Sequence, residues 1–117
     1  MNGAEVDLGL VNGLPASDGG VTHGVQLMAF TEAVMRADDA TLARERARLR
    51  SLLSPGAFVD ACAVICAFNV VDRIADATGI PLDAPLIEMS ADVRRLLHLG
   101  RFASAANTPR GSSTTTP

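Results

Sequence analysis

Two amphipathic segments open the ordered part of the chain. Over residues 23–37, large apolar side chains recur at helical spacing, and over residues 40–53 leucines follow one another seven and four residues apart. Asp38 or Asp39 precedes the second segment and is a suitable helix cap. Each segment presents one apolar stripe and a polar remainder, which predicts two helices that pack on a neighbour.

Residues 55–78 form the longest apolar segment and carry helix signals at both ends. Ser54 can cap the first turn, and Pro55 fits the first helical position. Gly79 favours a left-handed stop, and Pro81 prevents the helix from resuming. The apolar residues between these signals point to every side, which predicts a long central helix that is buried on every side.

A fourth helix and two loose ends complete the predicted organisation. Asp83 can cap a helix that ends near Gly100 or Phe102. Residues 1–22 are rich in glycine and predict a flexible N-terminal arm. Residues 103–117 are polar and low in complexity, which predicts a disordered tail. The predicted domain is therefore an all-α arrangement of about four helices over residues 23–102.

The predicted domain is too small to bury its third helix alone. The chain has 117 residues, of which 48% are apolar. About 80 of them are predicted to be ordered, and a chain of that size buries only some 60–65% of its surface. A second copy can supply the missing cover, so the sequence predicts a homo-oligomer that forms through residues 55–78.

Residues 67–83 carry a resemblance to a known family. The pattern AFN-x-x-x-RIADATGIPLD resembles the closing helix of the carboxymuconolactone decarboxylase family, which includes the alkylhydroperoxidase D-like proteins. The resemblance extends over residues 23–83, and only Phe68 to Asp83 is specific. It implies an all-helical bundle completed by oligomerisation. In active members it implies a peroxidase centre built on Cys-x-x-Cys with a nearby His and Glu.

No Cys-x-x-Cys motif occurs in this chain, so the resemblance implies a shortened member of the family. The function it implies is that of a non-catalytic or degenerate relative, an oligomeric helical module with a small molecule as a further expected ligand. The alternative is a thiol-dependent antioxidant enzyme of the alkylhydroperoxidase type.

Cys62 and Cys66 are the candidate catalytic residues of that alternative. Their spacing places both on one helix face, but side chains four apart diverge more than a disulfide tolerates. Both lie in the middle of the helix, whereas a helix N-terminus is where the dipole lowers a thiol pKa. The pattern therefore favours structural cysteines that pack as small apolar residues.

Three polar residues continue the line of the two cysteines along the same helix. Asn69, Arg73 and Asp76 follow Cys62 and Cys66 at helical spacing. One interpretation is a set of polar partners that fixes the register of a subunit interface, and the sequence favours it. The other is the polar lining of a pocket. Both hold if the pocket lies at the interface.

Charge and motif content exclude several other functions. The net charge is −3, and the basic run Arg44–Arg50 contains Glu45 and no aromatic residue, so no nucleic-acid partner is expected.

The longest apolar run, residues 57–71, is interrupted and shorter than the roughly 20 residues that a membrane span needs, so no membrane partner is expected. His23 and His98 belong to no metal-ligand spacing, so neither a metal nor another cofactor is expected. Two cysteines and no visible signal peptide predict a cytoplasmic protein.

Overall fold

A computed structural model describes residues 6–13 and 18–108, and these residues confirm the all-α class. The chain divides into two compact units, Met1–Asn69 and Val70–Pro117, which are described separately below. The described residues contain five α-helices: α1 (Gly24–Arg36), α2 (Asp39–Leu52), α3 (Pro55–Thr78), α4 (Ala84–Met89) and α5 (Ala91–Leu96).

The first unit is built on the pair α1 and α2, which pack against each other. Asp38 caps α2, because its carboxylate accepts hydrogen bonds from the backbone N–H groups of Ala40 and Thr41 at 3.1 and 3.2 Å. Phe30, Ala33 and Leu49 are the buried apolar residues of the described chain, and Leu49 has no exposed surface. The amphipathic pattern of the two segments thus produces a small core that the unit closes by itself.

A short 3-10 turn, Leu8–Asn12, packs on the start of α1. Asp7 caps this turn, because its carboxylate accepts a hydrogen bond from the Gly9 N–H at 2.8 Å. Gly24, the first residue of α1, lies close to the backbone of Asp18 and to the Leu10 side chain of the turn. A Cβ built on Gly24 would lie 2.2 Å from the Asp18 carbonyl oxygen, so a larger residue would push the two backbone segments apart. Residues 1–5 and 14–17 of the predicted arm lie outside the described residues.

α3 begins and ends where the sequence predicts. The Ser54 hydroxyl accepts from the Ala57 N–H at 3.2 Å, which satisfies one donor of the first turn. At the other end Gly79 adopts φ 67°, and the Ile80 N–H donates to the Ala75 carbonyl at 3.2 Å. This bond closes a Schellman motif, which glycine permits because it has no Cβ.

The burial predicted for α3 is not found within one chain. None of its 24 residues is buried, and Phe58, near its start, is the point where it meets the small core. The Phe58 ring lies 5.6 Å from that of Phe30, centroid to centroid, at an interplanar angle of 50°. From the sequence we expect a second copy of the chain to bury this helix, and that burial stays a prediction.

The second unit contains α4, α5 and two 3-10 turns, and none of its described residues is buried. The prediction of a single fourth helix after Asp83 is wrong, because the chain forms two six-residue helices there with Ser90 between them. The Ser90 hydroxyl donates to the Leu86 carbonyl at 2.5 Å, a local bond that weakens the helix around it.

The 3-10 turns Leu99–Arg101 and Ala103–Asn107 follow α5. The second turn occupies the start of the segment predicted to be a disordered tail. Thr108, directly after it, accepts a hydrogen bond from the Leu82 N–H at 3.0 Å. Residues 109–117 lie outside the described residues, so the disorder predicted for them stays a prediction.

Candidate functional site

The two cysteines lie on one face of α3, as their spacing predicts. Both are free thiols; Cys62 is half-buried and Cys66 is exposed. They lie more than one turn inside the helix that begins at Pro55, where the backbone N–H groups are already bonded within the helix. Their environment is that of half-packed apolar residues on a helix surface rather than of thiols placed against a helix N-terminus.

The polar residues that continue the line of the cysteines are not buried within a single chain. Asn69 is half-buried, whereas Arg73 and Asp76 are exposed. Exposed charged groups contribute little to folding because water screens their interactions. The role of Asn69 and Arg73 at an interface therefore stays a prediction, whereas Asp76 lines a cavity.

That cavity lies in the second unit and has a volume of about 300 Å³. Its wall begins with the last turns of α3, continues through the segment after it, and is completed by the 3-10 turns. Apolar surface comes mainly from four side chains: Ile80, Leu82, Leu99 and Phe102. Polar groups come from Asp76, Arg94, Ser104, Asn107 and Thr108. The cavity combines a mostly apolar body with a few polar groups, as small-molecule sites do.

Arg94 is held in place by the helices that carry it. Its Nε donates to the Ser90 hydroxyl oxygen at 3.0 Å, and its Nη2 donates to the Ile87 carbonyl at 2.6 Å. The same Ser90 that ends α4 thus also positions the guanidinium. The sequence did not single out Arg94, since its contact with Ile87 spans seven residues and depends on the break between α4 and α5.

The segment after the helices closes the other side of the cavity. Thr108 is attached to Leu82 by the hydrogen bond described above, and Asn107 lies next to Gly79. The Asn107 amide nitrogen is 3.7 Å from the position that a Cβ on Gly79 would occupy. Sequence reasoning missed both residues because their polar, low-complexity surroundings carry no periodic signal.

An apolar surface on α3 is the other prominent feature. Six large apolar side chains on this helix are more than half exposed, from 53% at Ile74 to 64% at Phe68. They are Val59, Val64 and Phe68 in the first unit and Val70, Val71 and Ile74 in the second. At about 100° per residue they cover one half of the helix circumference, with Val71 and Ile74 nearest its middle and Val59 and Phe68 at its two edges. The polar line runs along the opposite half. We call this set the α3 apolar face.

Another cavity lies at the corner between α2 and α3. Its volume is about 350 Å³, and Leu53, Pro55, Phe58 and Val59 provide its apolar lining. The guanidinium carbon of Arg50 lies 6.0 Å from the centre of the Phe58 ring, at the outer limit of a cation–π contact. Because it includes Val59, this cavity adjoins the α3 apolar face within the first unit.

The basic run on α2 is partly neutralised by its own glutamate. Glu45 pairs with Arg44 at 3.1 Å and with Arg48 at 3.9 Å, and both arginine side chains are more than half exposed. Such pairs are typical of a solvated helix face. No group of three or more His, Cys, Asp or Glu side chains within residues 6–13 and 18–108 is arranged to hold a metal ion.

Comparison of the chain with protein-family models, with curated proteins and with solved structures finds no match. The resemblance carried by Phe68 to Asp83 therefore stays a prediction. In the part of the chain that the structure describes, no helix combines the length and the apolar character that crossing a membrane requires, α3 included.

Proposed function

We propose that this chain is a non-catalytic helical module that assembles with copies of itself through the α3 apolar face. The observation that supports the proposal is the exposure of six large apolar side chains along one helix. Its kinship with the carboxymuconolactone decarboxylase-like proteins belongs to the same proposal and rests on the resemblance of Phe68 to Asp83.

Leaving that face in water has a free-energy cost that association removes. Full burial of a Val, Ile or Phe side chain contributes roughly 1.5–3 kcal/mol. Monomeric proteins rarely expose a contiguous apolar patch of more than a few hundred Å², and larger patches mark sites of association. Six neighbouring side chains that are each more than half exposed make a patch of that order. Association removes it from water.

A second copy is the occupant that the geometry favours. Most soluble oligomers are homo-oligomers, and a two-fold interface uses one surface patch twice. A long helix with one apolar half can pair with its own equivalent without any further element. A standard interface buries about 800 Å² on each partner, so the patch supplies an apolar centre and the flanking polar residues supply the rim.

The proposal is tested by placing a charge at Phe68, which is the most exposed residue of the face at 64%. Phe68→Asp should convert the assembly to a monomer in sedimentation velocity, because an unpaired carboxylate in an apolar interface is costly to desolvate. Asp72→Asn is the matched control: it changes an exposed side chain of the same helix away from the centre of the face and should leave the sedimentation coefficient unchanged. Assembly that survives Phe68→Asp unaltered would contradict the proposal.

A further inference from the structure

Two opposite charges line the cavity of the second unit without pairing with each other. Asp76 and Arg94 both contribute to its wall, and the ion pairs within residues 6–13 and 18–108 do not join them. We infer that this cavity binds a small zwitterion with an apolar body, such as an apolar α-amino acid, with its carboxylate at Arg94 and its ammonium at Asp76.

Arg94 is suited to hold the carboxylate. A guanidinium has five N–H donors in a planar fork, and two of them are occupied by Ile87 and Ser90. These two bonds fix the plane of the group before a ligand arrives, so little conformational entropy is lost on binding. The donors left over can form charge-assisted hydrogen bonds, which are stronger than neutral ones.

Asp76 selects for a hydrogen-bond donor at the other end of the ligand. An ionised carboxylate only accepts hydrogen bonds, so it favours an ammonium group and repels a second carboxylate. A ligand that carries an anionic group alone therefore satisfies one side of the cavity and is repelled by the other. Asp76 also lines an adjoining shallow cavity with Phe102 and Asn107, which leaves room around the carboxylate.

The apolar part of the wall limits the size of the ligand. Ile80, Leu82, Leu99 and Phe102 offer a surface for an aliphatic or aromatic side chain. The volume of about 300 Å³ is at the lower end of the range for ligand sites, 300–1,000 Å³. We expect a dissociation constant in the millimolar range for so small a ligand.

The test uses three probes that share a phenyl ring and differ in charge. L-phenylalanine carries both charged groups, 3-phenylpropionate only the carboxylate, and phenethylamine only the ammonium. Titration of the full chain, followed by the NMR resonances of Leu82, Leu99 and Phe102, should give the tightest binding for L-phenylalanine. Equal affinity for all three probes, or no shift of these resonances at tens of millimolar probe, would overturn the inference.

Variants at the two charges separate their roles. Arg94→Gln should weaken L-phenylalanine and 3-phenylpropionate about tenfold, as expected for one charge-assisted contact, and leave phenethylamine unchanged. Asp76→Asn should weaken L-phenylalanine and phenethylamine and leave 3-phenylpropionate unchanged. Arg95→Gln is the control, since Arg95 is outside the cavity wall and pairs with Asp92 at 2.8 Å. If the three probes keep the same order of affinity in both cavity variants, the placement of the carboxylate at Arg94 and the ammonium at Asp76 is wrong.

The design remains informative if Arg94→Gln disturbs the fold. Arg94 also bonds Ile87 and Ser90, so its loss can loosen α4 and α5. Asp76 is exposed, and Asp76→Asn by itself decides whether the ammonium is recognised. Binding is measured by resonance shifts and assembly by sedimentation. The inference about the cavity therefore stands or falls independently of the α3 apolar face.

Discussion

The two units of the chain differ in how far each one buries its own apolar residues. The first unit holds Phe30, Ala33 and Leu49 at 3%, 1% and 0% exposure. The described part of the second unit has no buried residue at all, and its large apolar side chains reach 80% exposure at Met89. Helices form in both units, so helix formation alone does not explain the difference.

The contrast shows what separates a helix that forms from a helix that is buried. α1 and α2 are each amphipathic and adjacent along the chain, so a short connection lets each cover the other. α3 is apolar over much of its circumference and has no comparable neighbour among residues 6–13 and 18–108. Tertiary packing contributes most of the stability of a protein helix, so we expect α3 to gain most from the proposed assembly.

The largest effect on stability is expected in the first unit. Leu49→Ala should lower the free energy of unfolding by about 2–5 kcal/mol, because it leaves a cavity in a closed core. Leu52→Ala, on the same helix at 42% exposure, is the control and should cost much less. Urea denaturation measures both, and equal losses would remove the contrast between buried and exposed positions.

A smaller effect is expected where α3 ends. Gly79→Ala should cost about 1–2 kcal/mol, because a side chain is strained at φ 67°. Gly56→Ala is the control: a Cβ there meets nothing within 4 Å, and the helical conformation suits alanine, so it should stabilise by about 0.4–1 kcal/mol. If both substitutions change the thermal midpoint in the same direction, the left-handed stop does not control the end of the helix.

The thiols should contribute less again, and only through packing. Cys62→Ala removes a half-buried side chain and should cost about 1 kcal/mol, whereas Cys66→Ala removes an exposed one and should cost less. The double variant should consume peroxide, in the presence of a dithiol, at the same background rate as the parent chain. Peroxide turnover that is strong in the parent chain and lost in the double variant would instead support the alternative function, a thiol-dependent peroxidase.

The smallest effect concerns the cap of α2. The Thr41 hydroxyl, which donates to Asp38 at 2.7 Å, and then the Thr41 backbone N–H hold the pKa of Asp38 below its ordinary value of 3.8. A lowered pKa stabilises the fold at pH above that ordinary value, and the contribution is lost as pH falls through the lowered pKa.

Asp38→Ala should therefore lower the thermal midpoint slightly at neutral pH, and the gap from the parent should close in strong acid. Asp39→Ala, which removes a first-turn acid without cap bonds, should do less. A gap that stays constant from neutral pH into strong acid would show that the carboxylate charge does not act through the cap.

The sequence was sufficient for features that depend on neighbouring residues. It located α3 from Ser54, Pro55 and Gly79, and it identified Asp38 or Asp39 as the cap of α2. These signals work because a cap or a left-handed stop requires a particular side chain within a few residues.

Features that join distant residues were beyond the sequence. The contact of Leu82 with Thr108 spans 26 residues and has no periodic signature. Arg94 becomes part of a cavity because Ser90 ends one helix and accepts from the guanidinium, a double role that composition does not reveal. The spacing placed Asp76 on a polar line, but the residues that line the cavity with it, such as Arg94, were not predictable from α3 alone.

Association through the α3 apolar face is tested most directly by combining analytical ultracentrifugation with thermal unfolding over a series of protein concentrations. Folding coupled to assembly should give species that are multiples of 12.1 kDa and a thermal midpoint that rises with concentration. A folded species of 12.1 kDa across the series, with a midpoint independent of concentration, would show that the face stays in water and would contradict assembly as the function of this chain.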